Sequence, residues 1–243
     1  MAEFSSFTDR LPDPNWTIDT TGIGHASSYT AGPGFNSIKL SSNMPIQTSH
    51  TNSGRLITRQ IAGHEWGINI TYNPMTRDQF EPVYSFLLQR KGRLNPFYVV
   101  LPNQSSSRNT AFGAYSGTIT VEGTHTAGSG VMLQTGHEDD PLTTQPQPGD
   151  MFTITDASDS LHTKIYRVTR VTNRTDYLAG SQPDADERYV YISPNLQRET
   201  ADTSVINYTN PQIRVILKND VQEFSLGTNN LYTFGLQLQE AQA

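Results

Sequence analysis

The sequence predicts a mainly β protein of the β-rich α+β class. We expect a β-barrel or sandwich with one packed helix, interrupted by an inserted small β-barrel domain. Only 16% of the 243 residues are charged and 35% are hydrophobic, while 18 Gly and 14 Pro favour short strands and turns over long charged helices. The 11 Tyr and 10 Phe, at a net charge of only -6, argue against general disorder.

The first 53 residues are predicted to be loop-like because Gly and Pro recur throughout them, with one short strand at residues 35–40. After Gly54 the alternation of apolar and polar residues becomes regular over 55–60 and again over 66–72. The short connection between these two runs predicts that they pair as a β-hairpin.

One helix is predicted directly after this hairpin. Thr76 and Gln79 have the spacing of a capping box, and Gly92 is placed for a left-handed C-cap. Apolar residues then recur at helical spacing and predict a face that packs on the sheet: Phe80, Val83, Tyr84, Leu87 and Leu88. A strand bounded by prolines follows at 97–101.

A shift to small polar residues at 103–115 indicates a domain boundary. Five short runs follow, at 117–121, 131–134, 150–155, 164–171 and 188–192, and their spacing predicts a small barrel or sandwich. Later strands are predicted at 212–217, 222–225 and 231–240. The long last strand needs a partner that 35–102 can supply. We therefore predict a discontinuous core domain, 1–102 and 209–243, that carries an inserted β-domain at 103–208.

Several classes of function are disfavoured. The chain has no Cys, so disulfides, thiolate metal sites and Cys nucleophiles are excluded. The apolar runs are shorter than the ~20 residues that cross a bilayer, and no signal peptide is visible at the N-terminus. The acidic clusters at 137–140 and 184–187 sit in Pro- and Gly-rich spacers typical of solvated loops. We expect no catalytic residue, no cofactor and no metal site.

Five cations within about forty residues stand out in an otherwise acidic chain: Arg55, Arg59, Arg90, Lys91 and Arg93. One interpretation is a solvated face together with charges that complement the helix dipole. The other is a positive stripe that faces an acidic partner subunit or a conduit for DNA. These five residues are the candidate interface or lumen residues.

Two segments carry a resemblance to a known family. They are residues 53–72, with SGRLITRQ followed by WGINITY, and residues 75–99, from MTRDQFEP to QRKGRLNPFYV. This arrangement of a Trp-bearing hairpin, a helix and an aromatic strand resembles the distal tail proteins of long-tailed bacteriophages. Their core is a tail-tube type of β-barrel, and some members carry an inserted oligonucleotide/oligosaccharide-type barrel before a returning C-terminal strand.

The resemblance implies a structural virion protein, assembled in the host cytoplasm, that forms a hexameric ring at the distal end of the tail. Such a ring joins the tube to the hub, baseplate or adsorption apparatus and leaves a channel through which DNA passes. The implied partners are other copies of the chain and other tail proteins, without membrane insertion.

Two alternatives from other classes stay open at this point. The insert would suit a carbohydrate-binding receptor-recognition module if its tyrosines were exposed for stacking on sugars: Tyr115, Tyr166, Tyr177, Tyr189 and Tyr191. A polysaccharide-degrading enzyme would need a pair of acids about 5–10 Å apart. The sequence offers only loop acids for that role.

Overall fold

The computed structural model describes residues 9–14, 17–18, 30–61, 63–138, 144–172 and 183–242. Its chain divides into two compact units. Unit 1 comprises Met1–Tyr98 and Val215–Ala241, and unit 2 comprises Val99–Arg214 with the last two residues. The predicted β-rich class is confirmed, since strands dominate both units and only two α-helices occur among the described residues.

In chain order the elements are β1 (Thr17–Ile18), β2 (Thr30–Ala31), β3 (Phe35–Asn43), β4 (Ile46–His50), β5 (Leu56–Gln60), β6 (Glu65–Tyr72), α1 (Arg77–Gln89), β7 (Phe97–Val99), a 3₁₀ turn (Pro102–Gln104), α2 (Thr110–Gly113), β8 (Ile119–Val121), β9 (Val131–Thr135), β10 (Met151–Thr155), β11 (Ile165–Thr172), β12 (Arg188–Ser193), β13 (Val205–Asn207), β14 (Ile213–Leu217), β15 (Phe224–Leu226) and β16 (Tyr232–Glu240).

Unit 1 is built on an open sheet of order β3-β6-β16-β14-β7, with β15 added beside β16. Residues in register across β3, β6 and β16 form apolar rows on one face, for example Ile38–Ile70–Leu236 and Leu40–Ile68–Leu238. Side chains of α1 pack against strands of this sheet. The Phe80 ring stacks 4.4 Å from the Tyr232 ring, and Phe86 meets Phe97 edge-on at 5.5 Å.

The predicted helix is confirmed as α1, and Gln79 Oε1 accepts a hydrogen bond from the Thr76 N–H at 3.4 Å. Its packed face is rotated slightly from the predicted one. Phe86 is buried, whereas Leu88 is 55% exposed and Tyr84 is half-buried. The apolar stripe of α1 is wider than the surface that the sheet covers, and local periodicity does not say which border is left in solvent.

The predicted pairing of 55–60 with 66–72 is wrong. Strand β5 pairs with β4, from Ile46 opposite Gln60 to His50 opposite Leu56, and β6 pairs with β3. The chain reverses in the turn at 51–55, where Gly54 has a φ of 77°. Strands β5 and β6 therefore follow one another on the same side of a long hairpin whose other side is β3 and β4. Alternation identifies a strand but not its partner, and β4 lies in the stretch predicted as loop.

Unit 2 contains a closed barrel of order β10-β11-β12-β9-β8-β13. The five predicted runs correspond to five of these strands, and the sixth, β13, was not predicted. Its apolar core includes Met132, Phe152, Tyr166 and Val190. The Tyr208 hydroxyl donates to Gln134 Oε1 at 2.8 Å inside the barrel, and burial raises the pKa of Tyr208.

The long last strand β16 pairs with β6, as predicted, and also with β14 and β15. The chain leaves unit 1 after β7 and returns on β14, and these two strands are neighbours in the sheet. The Asn210 N–H also donates to the Ser105 carbonyl at 2.8 Å, so the two ends of the insert lie side by side. The boundaries predicted from composition, 103 and 208, fall four to six residues inside those of unit 2.

Within the described ranges, no helix has the length and apolar character required to span a membrane.

Candidate functional site

Two of the five candidate cations lie on the ribbon, the two-stranded β4–β5 hairpin. Arg59 is in β5, and Arg55 directly precedes that strand. The Thr51 N–H donates to the Arg55 carbonyl at 3.0 Å, which extends the ladder by one pair beyond His50 and Leu56. Because side chains alternate along a strand, Arg55, Ile57 and Arg59 project from one face of the ribbon. The structure therefore brings Arg55 and Arg59 together.

The ribbon is exposed on both of its faces. Its large apolar side chains are in water: Ile46 is 59% exposed, Leu56 53% and Ile57 52%. With the adjoining Met44 and Ile61, they are five of the twelve large apolar side chains exposed in the described part of the chain. An exposed apolar cluster of this kind is typical of a protein interaction site.

Arg90, at the end of α1, has a partner within the chain. Its Nη1 lies 2.6 Å from Asp9 Oδ1, and its guanidinium is 4.5 Å from the centre of the Phe86 ring. Only 12% of the Arg90 side chain is exposed. Arg90 thus ties the N-terminal segment to the helix, which the sequence did not indicate because the two partners are 81 residues apart.

Lys91 and Arg93 are exposed on the turn that follows α1. Gly92 between them has a φ of 67°, and a Cβ at this position would lie 3.0 Å from Asp220 Oδ1. The glycine therefore allows a left-handed turn and a close approach to the loop after β14. Arg93 lines a polar groove there together with Lys218, Asp220 and Glu223. This groove mixes both signs of charge.

The outer face of the unit 1 sheet is polar along three rows that run across β3, β6 and β16. The rows are Ser37–Thr71–Gly235, Lys39–Asn69–Gln237 and Ser41–Gly67–Gln239. None of these nine positions holds a carboxylate or an aromatic ring. The Ser41 hydroxyl donates to the Gly67 carbonyl at 3.1 Å. A Cβ on Gly67 would lie 2.6 Å from the Ser41 Oγ. The sequence analysis did not single out this face, although the alternation of β16 contained the signal.

Strand β3 stands at one border of the sheet order and pairs with β6 alone among the described strands. Nine residues of backbone, with Ile38 and Leu40 only half-buried, are left along this border. An edge strand of this length offers hydrogen-bonding groups on its outer side that another chain can use. The border of the sheet is therefore a second candidate assembly surface.

The insert does not offer its tyrosines as a common platform. Tyr166 is fully buried in the barrel core, Tyr115 donates to the Gly136 carbonyl at 2.9 Å, and Tyr189 and Tyr191 are half-buried. Tyr177 lies outside the described residues. A cleft of about 290 Å³ opens beside α2, β8 and β13, and Ser107, Thr155 and Thr209 are among its lining residues.

Two acids of the insert, Asp186 and Asp156, have hydrogen-bond partners within it. Asp186 Oδ2 accepts from the Thr135 hydroxyl at 2.9 Å, and Asp156 Oδ1 accepts from the Ser158 N–H at 2.8 Å. Burial opposes ionisation of Asp156, but hydrogen bonds from Ala201, Ser158 and Ser204 outweigh it and lower the pKa to about 2. Within the described ranges, no three His, Asp or Glu side chains are grouped to hold a metal ion.

Comparison with known proteins connects this architecture with phage tails. A family profile described as "Distal tail protein pb9, A domain, N-terminal" matches residues 24–104, which run from the N-terminal segment through the ribbon and α1 to the 3₁₀ turn. The chain is also similar to distal tail protein pb9 of Escherichia phage T5. The two are 28% identical over 164 residues, which cover 68% of this chain and 70% of the relative.

The predicted resemblance to the distal tail proteins of long-tailed bacteriophages is confirmed. The protein is a structural component of the virion tail. The matched segment holds all five candidate cations, the ribbon and two strands of the polar outer face, β3 and β6. The exposed surfaces of unit 1 described above therefore lie mainly within the segment that the family profile matches.

Proposed function

We propose that this distal tail protein forms a closed ring of six copies at the distal end of the tail. The observation that carries this proposal is the open sheet of unit 1, which leaves the nine-residue border strand β3 without a second neighbour among the described strands. Repeated contacts between one surface of a subunit and a different surface of the next close into a ring when the rotation allows it. Stability then comes in part from assembly.

The polar outer face of the sheet is proposed to line the channel. DNA has to pass this surface without being held, so a lining of small neutral side chains suits it better than many cations. Lys39 is the one charged residue among the nine positions in the three rows. The ring would join the tube on one side to the hub, baseplate or adsorption apparatus on the other. We propose a structural and not an enzymatic role.

The oligomeric state of the purified protein tests this proposal. Light scattering after size-exclusion chromatography should give about six times the chain mass of 27.0 kDa, and electron micrographs should show rings with a central hole. A protein that stays monomeric at every concentration, alone and together with its tail partners, would contradict the ring. Cleavage of a polysaccharide by the purified protein would contradict the structural role.

We also propose that the insert at 103–208 is an independently folding domain whose removal leaves unit 1 intact. The insert leaves and re-enters through adjacent strands, and the Ser105–Asn210 hydrogen bond joins its two ends. A short Gly/Ser linker from 102 to 209 should therefore preserve the sheet. We expect a cooperative thermal transition and a β-rich circular dichroism spectrum from the shortened chain. An unfolded shortened chain would show that the core domain depends on the insert.

A further inference from the structure

The ribbon is a surface that lacks a partner in the isolated subunit. A two-stranded hairpin is marginally stable in water when no other strand or helix covers it. Every position of β4 is exposed, and so is every described side chain of β5. Five apolar side chains in and beside the ribbon are left in solvent. These observations indicate that another surface covers the ribbon in the working assembly.

One face of the ribbon has a definite chemical character. Arg55 and Arg59 flank Ile57 of β5, and the β4 residues opposite Arg59 and Ile57 are Gln47 and Ser49. The face carries two positive charges around an apolar centre and contains no acid. A complementary surface must therefore offer carboxylates around an apolar position.

Unit 2 contains such a surface at one end of its barrel, which we call the acid patch: Glu122, Asp184, Asp186, Glu187 and Asp202. The register places these residues close together. Val121 of β8 pairs with Gln134 of β9, which in turn pairs with Arg188 of β12. Glu122 follows Val121 in the chain and Glu187 precedes Arg188, so both glutamates lie beside this row of three paired residues.

Hydrogen bonds hold the other acids at the same place. Asp202 Oδ1 accepts from the Gly123 N–H at 2.8 Å, and Asp186 Oδ2 accepts from the Thr135 hydroxyl. Local desolvation and the negative charges of the other four acids raise the pKa of Glu122. The exposed Val205, three residues after Asp202, offers an apolar position on the adjoining β13.

Unit 2 is more acidic than unit 1, as contact between the positive face of the ribbon and the acid patch requires. Unit 2 has thirteen Asp and Glu against eight Lys and Arg, whereas unit 1 has ten against nine. Carboxylates crowded into one patch repel one another, and opposite charges from a second molecule relieve that repulsion. A receptor for the ribbon is thus available on every copy of the chain.

We propose that the Arg55–Ile57–Arg59 face of the ribbon docks on the acid patch of a second copy of this chain. The contact is head-to-tail because the ribbon and the acid patch are different surfaces. Each subunit would place its ribbon on one neighbour and receive the ribbon of the other neighbour on its acid patch. This inference rests on the proposed ring and names the surfaces through which neighbouring subunits recognise each other.

Two charge-reversed full-length chains test the contact. The ribbon variant carries Arg55→Glu and Arg59→Glu. The patch variant carries Glu122→Lys, Asp184→Lys and Asp202→Lys, three exposed side chains, which change the formal charge of the acid patch from -5 to +1. Each variant alone places like charges against each other, so we expect its assembly to weaken by about tenfold or more in sedimentation velocity. An equal mixture restores opposite charges at every contact and should assemble as rings in which the two variants alternate.

Two control variants keep the comparison matched. Arg77→Glu reverses an exposed arginine on α1, and Glu199→Lys reverses an exposed acid that does not contribute to the pKa shift of Glu122. Both should assemble like the wild type. Circular dichroism should show the same β-rich spectrum for all variants, so that a loss of assembly is not a loss of folding.

The outcomes separate the two proposals. Rings from the mixture but not from either variant alone support the docking contact. Normal assembly of either variant alone overturns it. A mixture that fails to assemble while the wild type forms rings also overturns the docking contact. In that case the proposed ring is still supported. A wild type that never assembles overturns the proposed ring, and the docking contact with it.

Discussion

Leu87→Ala should destabilise the protein by about 3 kcal/mol, within the range of roughly 2–5 kcal/mol measured for buried leucines. Leu87 is 1% exposed, and it shares the packed face of α1 with Phe80 and Val83. Truncation removes apolar contacts and leaves a cavity that the sheet and helix fill only in part. Urea denaturation followed by circular dichroism measures the change in the free energy of unfolding.

Leu88→Ala is the matched control for this prediction. Leu88 is the next residue of the same helix and is 55% exposed, so the same substitution should cost less than about 1 kcal/mol. Equal losses at the two positions would mean that Leu88 is covered in solution, for instance by a subunit contact. A loss below about 0.5 kcal/mol for Leu87→Ala would show that the helix does not pack as described.

The His137→Leu variant should remove a large part of the acid sensitivity of the protein. His137 is 3% exposed and stacks on Phe112 with the ring centres 5.7 Å apart. Neither of its ring nitrogens has a hydrogen-bond partner among the described residues. Burial, assisted by the positive charge of Arg188 and opposed by Asp186, lowers the pKa of His137 from 6.5 to about 3.

The sign of the effect follows from this lowered pKa. Between pH 6.5 and about 3 the unfolded chain binds a proton at His137 that the folded chain does not, so stability falls as the pH falls through this window. From pH 7 to pH 4.5 the loss from this one group amounts to about 2.5 kcal/mol. The pKa of His162 is lowered too, by burial first, and that group contributes a loss of the same sign.

Urea denaturation of both proteins at pH 7 and pH 4.5 measures this difference. At pH 7 the free energy of unfolding of the leucine variant should match that of the wild type to within about 1 kcal/mol. The substitution replaces a neutral ring, whose nitrogens have no hydrogen-bond partner among the described residues, by an apolar group of similar size. At pH 4.5 it should be the more stable of the two by about 2 kcal/mol. Equal acid sensitivity in the two proteins would mean that His137 gains a proton without unfolding.

Elements whose signal lies within a short stretch of chain could be predicted from the amino-acid sequence alone. The helix α1 was predictable because its cap, its apolar period and its terminal glycine all lie within seventeen residues, 76–92. Five of the six barrel strands of the insert were predictable to within a few residues, since alternation and turn residues mark them without reference to a partner. The last strand was predictable for the same reason, and so was its need for a partner from the first hundred residues.

Which strands pair, and which side chains at the border of a helix face are buried, depends on the tertiary structure. Every described side chain of β5 is exposed, so its alternation could not show that it pairs with β4 rather than β6. Leu88 and Phe86 lie at opposite borders of the helix stripe, and the position of the sheet decides which of them is buried.

The five cations show the same division most clearly. The sequence placed them within forty residues of one another. Only the folded chain put Arg55 and Arg59 on one face of the ribbon and gave Arg90 an ionic partner in Asp9. Charge is a property of each residue, but the surface that it forms depends on register and on contacts between residues far apart in the chain.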